Sequence, residues 1–159
     1  MHNKYGKLFK CTSTKEVTCL QYDVNQNYYA FVQDKYNEGY HQCIVTSDIM
    51  IKIMQHFVLE GNVEITSMEF MVEDEELESE ISSIISLMKQ NAGYWEILKQ
   101  KIAFLSQNDC IEVKKANFRG LKGQGFLFSI QANGIVVISE SDFDTIAKTI
   151  SKIMEGCIK

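Results

Sequence analysis

The sequence predicts an α+β fold in which an antiparallel sheet of short strands packs against three or four helices. Short runs rich in Val, Thr, Tyr, Phe and Cys, separated by polar clusters, are typical of antiparallel strands. Apolar residues at helical spacing recur after residues 47, 76, 94 and 142. The 159 residues include no proline, so each break between elements must come from glycine, asparagine or a capping side chain.

The length suits one compact domain over residues 1–159, because domains usually contain about 100–200 residues. A chain of this size buries roughly 70% of its unfolded surface, so its core needs no metal or disulfide. We therefore expect no cofactor. The absence of proline also excludes PxxP ligands and stiff proline linkers.

The first third predicts a meander of strands followed by a helix. A good N-cap pair, Ser47-Asp48, precedes the first helical stripe, in which Ile49, Ile53 and Phe57 recur every four residues, and Gly61 ends it. The predicted strands are 7–14, 17–24, 28–36 and 42–46.

The middle of the chain predicts a strand and then a helical hairpin or one bent helix. Residues 63–72 alternate in polarity but change phase near Ser67, which indicates a bulge. The acidic run 73–76 lies where a helix N-terminus is expected, since the macrodipole favours carboxylates there. The break Asn91-Ala92-Gly93 separates two apolar stripes, and the second stripe ends near Asn108.

The last third predicts more strands and a closing helix. Residues 110–118 and 126–130 are expected to be strands, with a glycine-rich loop at 119–125 between them. Asn133-Gly134 is a strong hairpin signal. Ser139 with Asp142 resembles a capping box before a helix that ends at Gly156.

The two ends of the chain share one plan of strands followed by a capped helix. Residues 1–61 and 110–159 therefore form a possible pseudo-repeat, with 73–108 as a helical insert. Duplication of a sheet-plus-helix module is one explanation, and chance use of common parts is the other. The alternative to two modules is one sheet packed on all the helices.

Composition predicts a cytoplasmic protein that does not enter membranes. The basic N-terminus lacks the apolar run of a signal peptide, and no stretch approaches 18 apolar residues. The five cysteines are odd in number and form no CxxC pair, which is typical of reduced intracellular thiols.

Catalytic and metal motifs are weak, so we predict no catalytic residue and no metal site. His41 and Cys43 would share one face of a strand, and Cys11 or Cys19 could complete a zinc site, but the close spacing of a zinc knuckle is missing. A Cys–His pair would depend on His41 or His56, and both have ordinary structural explanations. The loop 119–125 leads into a strand, whereas a phosphate loop leads into a helix. An enzyme is therefore the less favoured class.

A basic and aromatic hairpin around residues 114–128 supports single-stranded nucleic acid binding. Basic side chains beside aromatic rings are the usual means of holding single strands. The net charge of −5 opposes this interpretation, and the rings would serve equally well as core. The candidate nucleic-acid-binding residues are Lys114, Lys115, Phe118, Arg119 and Lys122.

Tyrosines and the acidic run support a different class, a non-enzymatic protein-binding or regulatory module such as an inhibitor, adaptor or immunity-type protein. Tyrosine is enriched at interfaces because its ring buries area while its hydroxyl tolerates water. The expected partner is a protein with a basic surface, or a second copy of the chain. The candidate partner-binding residues are Tyr22, Tyr28, Tyr29, Tyr36, Glu73, Asp74, Glu75 and Glu76.

Overall fold

A computed structural model describes residues 2–60, 63–120 and 125–158, which form seven strands, five α-helices and two short 3₁₀ turns. The predicted α+β class, with an antiparallel sheet packed against helices, is confirmed. The elements are β1 (Asn3–Cys11), β2 (Val17–Tyr22), α1 (Tyr28–Asn37), β3 (Tyr40–Gln42), α2 (Ser47–Glu60), β4 (Val63–Phe70), α3 (Glu75–Gln90), α4 (Trp95–Asn108), β5 (Val113–Gly120), β6 (Phe126–Gln131), β7 (Ile135–Ser139) and α5 (Phe143–Cys157).

All the strands lie in one sheet, in the order β2-β1-β7-β6-β5-β4, and every pair is antiparallel. The short β3 pairs with β1 over Phe9–Cys11, beyond the part of β1 that pairs with β7. The first and last strands are thus neighbours, with Tyr5 opposite Val137. Strands from both ends of the chain share this sheet, while duplication of a module stays a hypothesis.

The main core lies between one face of the sheet and helices α2 to α5. Phe118 and Phe128, opposite each other on β5 and β6, stack with ring centroids 4.3 Å apart. Phe57 of α2 lies 4.8 Å from Phe128, so the helix layer contacts this stack directly. Each fully buried side chain of this size contributes roughly 1.5–3 kcal/mol to folding.

Helix α1 packs against the face of the sheet opposite the main core. The sequence predicts a strand for residues 28–36, which lie in this helix. Phe31 is the buried residue of this helix, and its ring centroid lies 5.8 Å from that of Phe9 on β1. The prediction is wrong because Asn27 is an N-cap: its side-chain oxygen accepts the Ala30 N–H at 3.0 Å. Tyr28 and Tyr29 are therefore consecutive residues at the start of a helix.

Three local features are confirmed. The pairing of β4 with β5 shifts register between Ile65 and Ser67, as the change of phase predicted. Asn91 separates α3 from α4, and its side-chain oxygen accepts the Gly93 N–H at 2.8 Å. Gly134 adopts a φ of +85° in the turn between β6 and β7.

The predicted helix caps differ in detail. Thr46, not Ser47, caps α2, because the Thr46 hydroxyl accepts the Ile49 N–H at 3.3 Å. Ser139 donates a 2.7 Å hydrogen bond to the Asp142 carboxylate, so this pair does not form the predicted capping box. A 3₁₀ turn at Glu140–Asp142 precedes α5 instead.

Residues 43–46 do not form the strand predicted for 42–46. Strand β3 ends at Gln42, and the chain continues as an irregular segment that bridges β1 and the turn after β6. Cys43 N–H donates to the Leu8 carbonyl at 3.0 Å, and Val45 N–H donates to the Ala132 carbonyl at 2.8 Å. The bridge has too few ladder bonds to be a strand.

Lys7 is buried between α1 and the turn at Asn133. Only 2% of its surface is exposed, and its ammonium donates to the Asn133 carbonyl. The Tyr28 ring lies 6.0 Å from the Lys7 Nζ. Burial lowers the pKa of Lys7, because the charged form is poorly solvated there.

Candidate functional site

Strand β4 forms one outer edge of the sheet. Among the described residues, β5 is the strand that pairs with it, and no strand pairs with its other side. An outer strand leaves a row of backbone N–H and C=O groups without ladder partners, which can hydrogen-bond to another chain. This edge is therefore a candidate binding surface.

Helix α3 runs along β4 in the opposite direction. Its first turn, at Glu75 and Glu78, lies beside Phe70 at the end of β4, and its last turn, at Met88, lies beside Val63 at the start. The amphipathic sequence of α3 explains this arrangement, because its buried residues recur at helical spacing and face the core. Those residues are Leu77, Ile81, Ile84 and Ile85.

An apolar cavity of about 240 Å³ lies where the start of β4 meets the last turn of α3. Its volume is below the roughly 300–1,000 Å³ of a small-molecule pocket and is better suited to one apolar side chain. Glu64, Lys89, Gln90 and Ala92 line its rim, and its apolar lining is Val58, Val63, Ile65, Ile85 and Met88.

An acidic cavity of about 400 Å³ lies at the other end of β4, against the first turn of α3. Asp74 caps this helix, since its carboxylate accepts the N–H groups of Glu76 at 3.0 Å and Leu77 at 3.1 Å. The predicted acidic helix start is thus present, and its glutamates are exposed. The lining residues are Glu69, Phe70, Glu73, Asp74, Glu75, Glu78 and Lys114.

We call the two cavities and the β4 edge between them the β4–α3 groove. Residues 63–90, which contain β4 and α3, carry eight carboxylates and one base, Lys89, while Lys101 and Arg119 outside this range pair with Glu80 and Glu64. Such a concentration of one charge produces a negative potential that extends roughly 8 Å into solution at physiological salt. The groove therefore favours cationic ligands at its acidic end.

The predicted tyrosine surface lies at the opposite edge of the sheet. Tyr22 of β2 is 6.1 Å from Tyr5 and 5.7 Å from Tyr28 between ring centroids, and burial raises the pKa of both Tyr22 and Tyr28. Tyr29 and Tyr36 are 83% and 58% exposed on α1. Because β2 and β4 are the two outer strands, the tyrosines and the acidic residues form separate surfaces.

Those predicted nucleic-acid-binding residues that the structure describes do not form one basic and aromatic surface. Phe118 is fully buried and stacked on Phe128, so it has no surface to offer a base. Arg119 forms an ion pair with Glu64, and Lys115 lies opposite Glu69 in the strand pairing. Lys114 lines the acidic cavity, and Lys122 lies outside the described residues.

The cysteines and histidines do not assemble into a metal site in the part of the chain that the structure describes. His41 is exposed on β3, whereas Cys43 is buried. Burial raises the pKa of Cys19 to about 12, as expected for a small core residue. Cys11 differs, because hydrogen bonds from Ser13 and Thr14 lower its pKa to about 6.

Comparison with protein-family models, curated proteins and solved structures gives no significant match for this chain. The fold and the groove are therefore described only from the sequence and structure of this chain. Of the helices described, none has the length and apolar character required to span a membrane.

Proposed function

We propose that this chain is a non-enzymatic protein-binding module of regulatory type, such as an inhibitor or adaptor, and that it binds its partner in the β4–α3 groove. The observation that carries the proposal is an outer strand with an apolar cavity at one end and an acidic cavity at the other. Backbone groups, one side-chain pocket and a charged end are the elements of peptide recognition.

The chemistry of the groove supports binding more than catalysis. Its carboxylates come mainly from one loop and one helix start, whereas acid–base catalysis places two groups on either side of a reacting bond. Asp74 is also engaged in capping α3. A negative surface that stays solvated is suited to long-range attraction of a basic partner.

Single-stranded nucleic acid binding is the second candidate. Phe126 supports it, because this ring is 43% exposed and lies opposite Arg119 in the pairing of β5 with β6. The carboxylates of Glu64 and Glu69 on the neighbouring strand oppose it by repelling phosphates.

A peptide selection tests the proposal. Random 12-residue peptides displayed on phage are selected for binding to the full wild-type chain. Their affinities are then measured for the wild type and for two variants of adjacent α3 residues, Met88→Glu and Leu87→Glu. Met88 lines the apolar cavity, whereas Leu87 is exposed and does not line it. We expect the selected peptides to bind the wild type and Leu87→Glu equally, and Met88→Glu at least tenfold more weakly.

The opposite pattern would overturn the proposal. Peptides that bind Met88→Glu as well as the wild type would show that the groove is not the binding surface. A labelled 20-nucleotide single strand is tested in parallel at about 50 mM salt. Tight binding that Lys115→Ala weakens, together with a failed peptide selection, would establish the second candidate instead.

A further inference from the structure

Resting on the proposed function, we infer that the partner contributes an extended basic segment, which adds to the sheet as a strand antiparallel to β4. A basic residue of this segment occupies the acidic cavity, and an apolar side chain further along it occupies the apolar cavity. The inference specifies the conformation, charge and direction of the ligand.

The conformation follows from the open edge. Strand β4 contains eight residues, so it can form a ladder of about 26 Å at roughly 3.3 Å per residue. An added strand satisfies backbone groups that otherwise bond to water, and alternate side chains then reach the cavities. A helical ligand would leave the β4 backbone groups unpaired.

The opposite edge of the sheet is less suited to strand addition. There the Val17 N–H of β2 already donates to the carboxylate of Glu155, at 3.0 Å. Helix α5 packs against β2, and the cavity between them is lined by Lys148 and Lys152 together with Glu16, Asp144 and Glu155. The charges there nearly balance, whereas the acidic cavity at β4 has five carboxylates and one lysine, so a basic segment is favoured at β4.

The charge of the ligand follows from the composition of the groove. The acidic cavity is lined by five carboxylates and one base, Lys114, and this excess favours Lys and Arg side chains. Pairing with a second copy of β4 would bring Glu64 and Glu69 of one copy against Glu64 and Glu69 of the other. The repulsion between like charges disfavours such a pair.

The direction follows from the positions of the two cavities. The acidic cavity lies at the Phe70 end of β4, and the apolar cavity lies at the Val63 end beside Lys89. In an antiparallel pair the added strand starts at the Phe70 end, and antiparallel pairing is slightly the more stable kind. The basic residue should therefore precede the apolar residue by about five to seven positions.

Synthetic peptides of 12 residues test these statements. The first has Arg at positions 2 and 3, Leu at position 9, and Ser or Thr elsewhere, and the second has the same sequence in reverse order. We expect the first peptide to bind the full chain at least tenfold more tightly than the second. Equal affinities would overturn the inferred direction.

Single N-methyl groups along the first peptide test the strand itself. N-methylation removes one N–H, so we expect losses of at least tenfold at every second position and small effects at the positions between. A loss without this alternation would overturn strand addition. Because the phage selection does not depend on peptide conformation, the proposed function would still stand in that case.

Charge variants provide the matched control. Glu73→Gln combined with Glu75→Gln, both at the acidic cavity, should weaken binding several-fold and reduce its salt dependence. Glu96→Gln, an exposed change on α4 outside the groove, should do neither. Equal effects of the two sets would overturn the role of the acidic cavity. A stable dimer of the unliganded chain that Met88→Glu dissociates would show a second copy as the occupant and overturn the inference.

Discussion

Ser47 and Glu112, 65 residues apart in the chain, are joined by a 2.8 Å hydrogen bond in which the serine hydroxyl donates to the carboxylate. The same hydroxyl accepts the Val113 N–H at 3.0 Å, and the Ser106 hydroxyl also donates to Glu112, at 2.9 Å to Oε2. This carboxylate therefore connects the start of α2, the end of α4 and the start of β5.

Removing that carboxylate should destabilise the protein. We expect Glu112→Ala to lower the free energy of unfolding by about 2–4 kcal/mol, because hydrogen bonds to a charged group contribute about 1.5–3 kcal/mol each. Urea unfolding followed by circular dichroism measures the change. Glu96→Ala, an exposed change on α4, should remain within about 0.5 kcal/mol of the wild type. A similar value for Glu112→Ala would show that the connection has no energetic role.

Two glycine substitutions should differ sharply in their effect. Gly134→Ala places a Cβ 2.5 Å from the Cys43 carbonyl oxygen in a backbone with φ of +85°, so we expect a loss of at least about 2 kcal/mol. Gly125→Ala meets no atom within 4 Å and should be nearly neutral. Thermal unfolding of the two variants side by side measures this difference. Comparable melting temperatures would contradict the close approach at Gly134.

Cys11 should react with iodoacetamide below neutral pH. Hydrogen bonds from Ser13 and Thr14 lower its pKa to about 6, so its nucleophilic thiolate is already the major form at pH 7. The labelling rate of the Cys11 peptide, measured by mass spectrometry from pH 5 to 9, should have its midpoint near 6. Ser13→Ala removes the hydroxyl 3.3 Å from the sulfur and should move the midpoint upward. An unchanged midpoint in that variant would refute this cause.

Cys19 should make stability fall in alkaline solution. Its folded-state pKa is raised to about 12 from an ordinary value of 9.0, so the folded state keeps a proton that the unfolded state loses. The stabilising contribution is complete below pH 9 and is lost as the pH rises towards 12, at up to about 1.4 kcal/mol per pH unit. The stability difference between wild type and Cys19→Ala should therefore shift by roughly 2 kcal/mol between pH 9 and 10.5. The two proteins differ only at this residue, so a stability difference that stays constant with pH would contradict burial of the thiol.

The features that the sequence predicted correctly are those encoded by neighbouring residues. Asn133-Gly134 defines its own turn, and the change of phase near Ser67 appears as a register shift at that place. Helix α1 was missed because its Tyr, Phe and Val residues favour strands, while Asn27 resembles a turn residue when its bond to the Ala30 N–H is unknown. The overlooked signal was an asparagine followed by a run without glycine.

The candidate site was predictable only in part, because the sequence shows only those features that neighbouring residues encode. The acidic start of α3 is local and was identified from the run at 73–76. The apolar cavity joins Val58, Val63 and Met88 from three elements, and no spacing in the sequence relates them. The sequence left open whether Phe118 lies in the core, because the alternation of a strand does not show which of its faces is covered.

The pairing of β1 with β7 has a consequence for synthesis on the ribosome. The partner of Asn3–Lys7 is Ile135–Ser139, so the N-terminal strand emerges more than 120 residues before the strand that completes its pairing. Until then β1 can pair only with β2 and the three-residue β3, and Asn3–Lys7 lacks its partner on the β7 side. The nascent chain therefore cannot acquire its finished sheet in N-to-C order, and the sheet is completed late, by a slow long-range pairing.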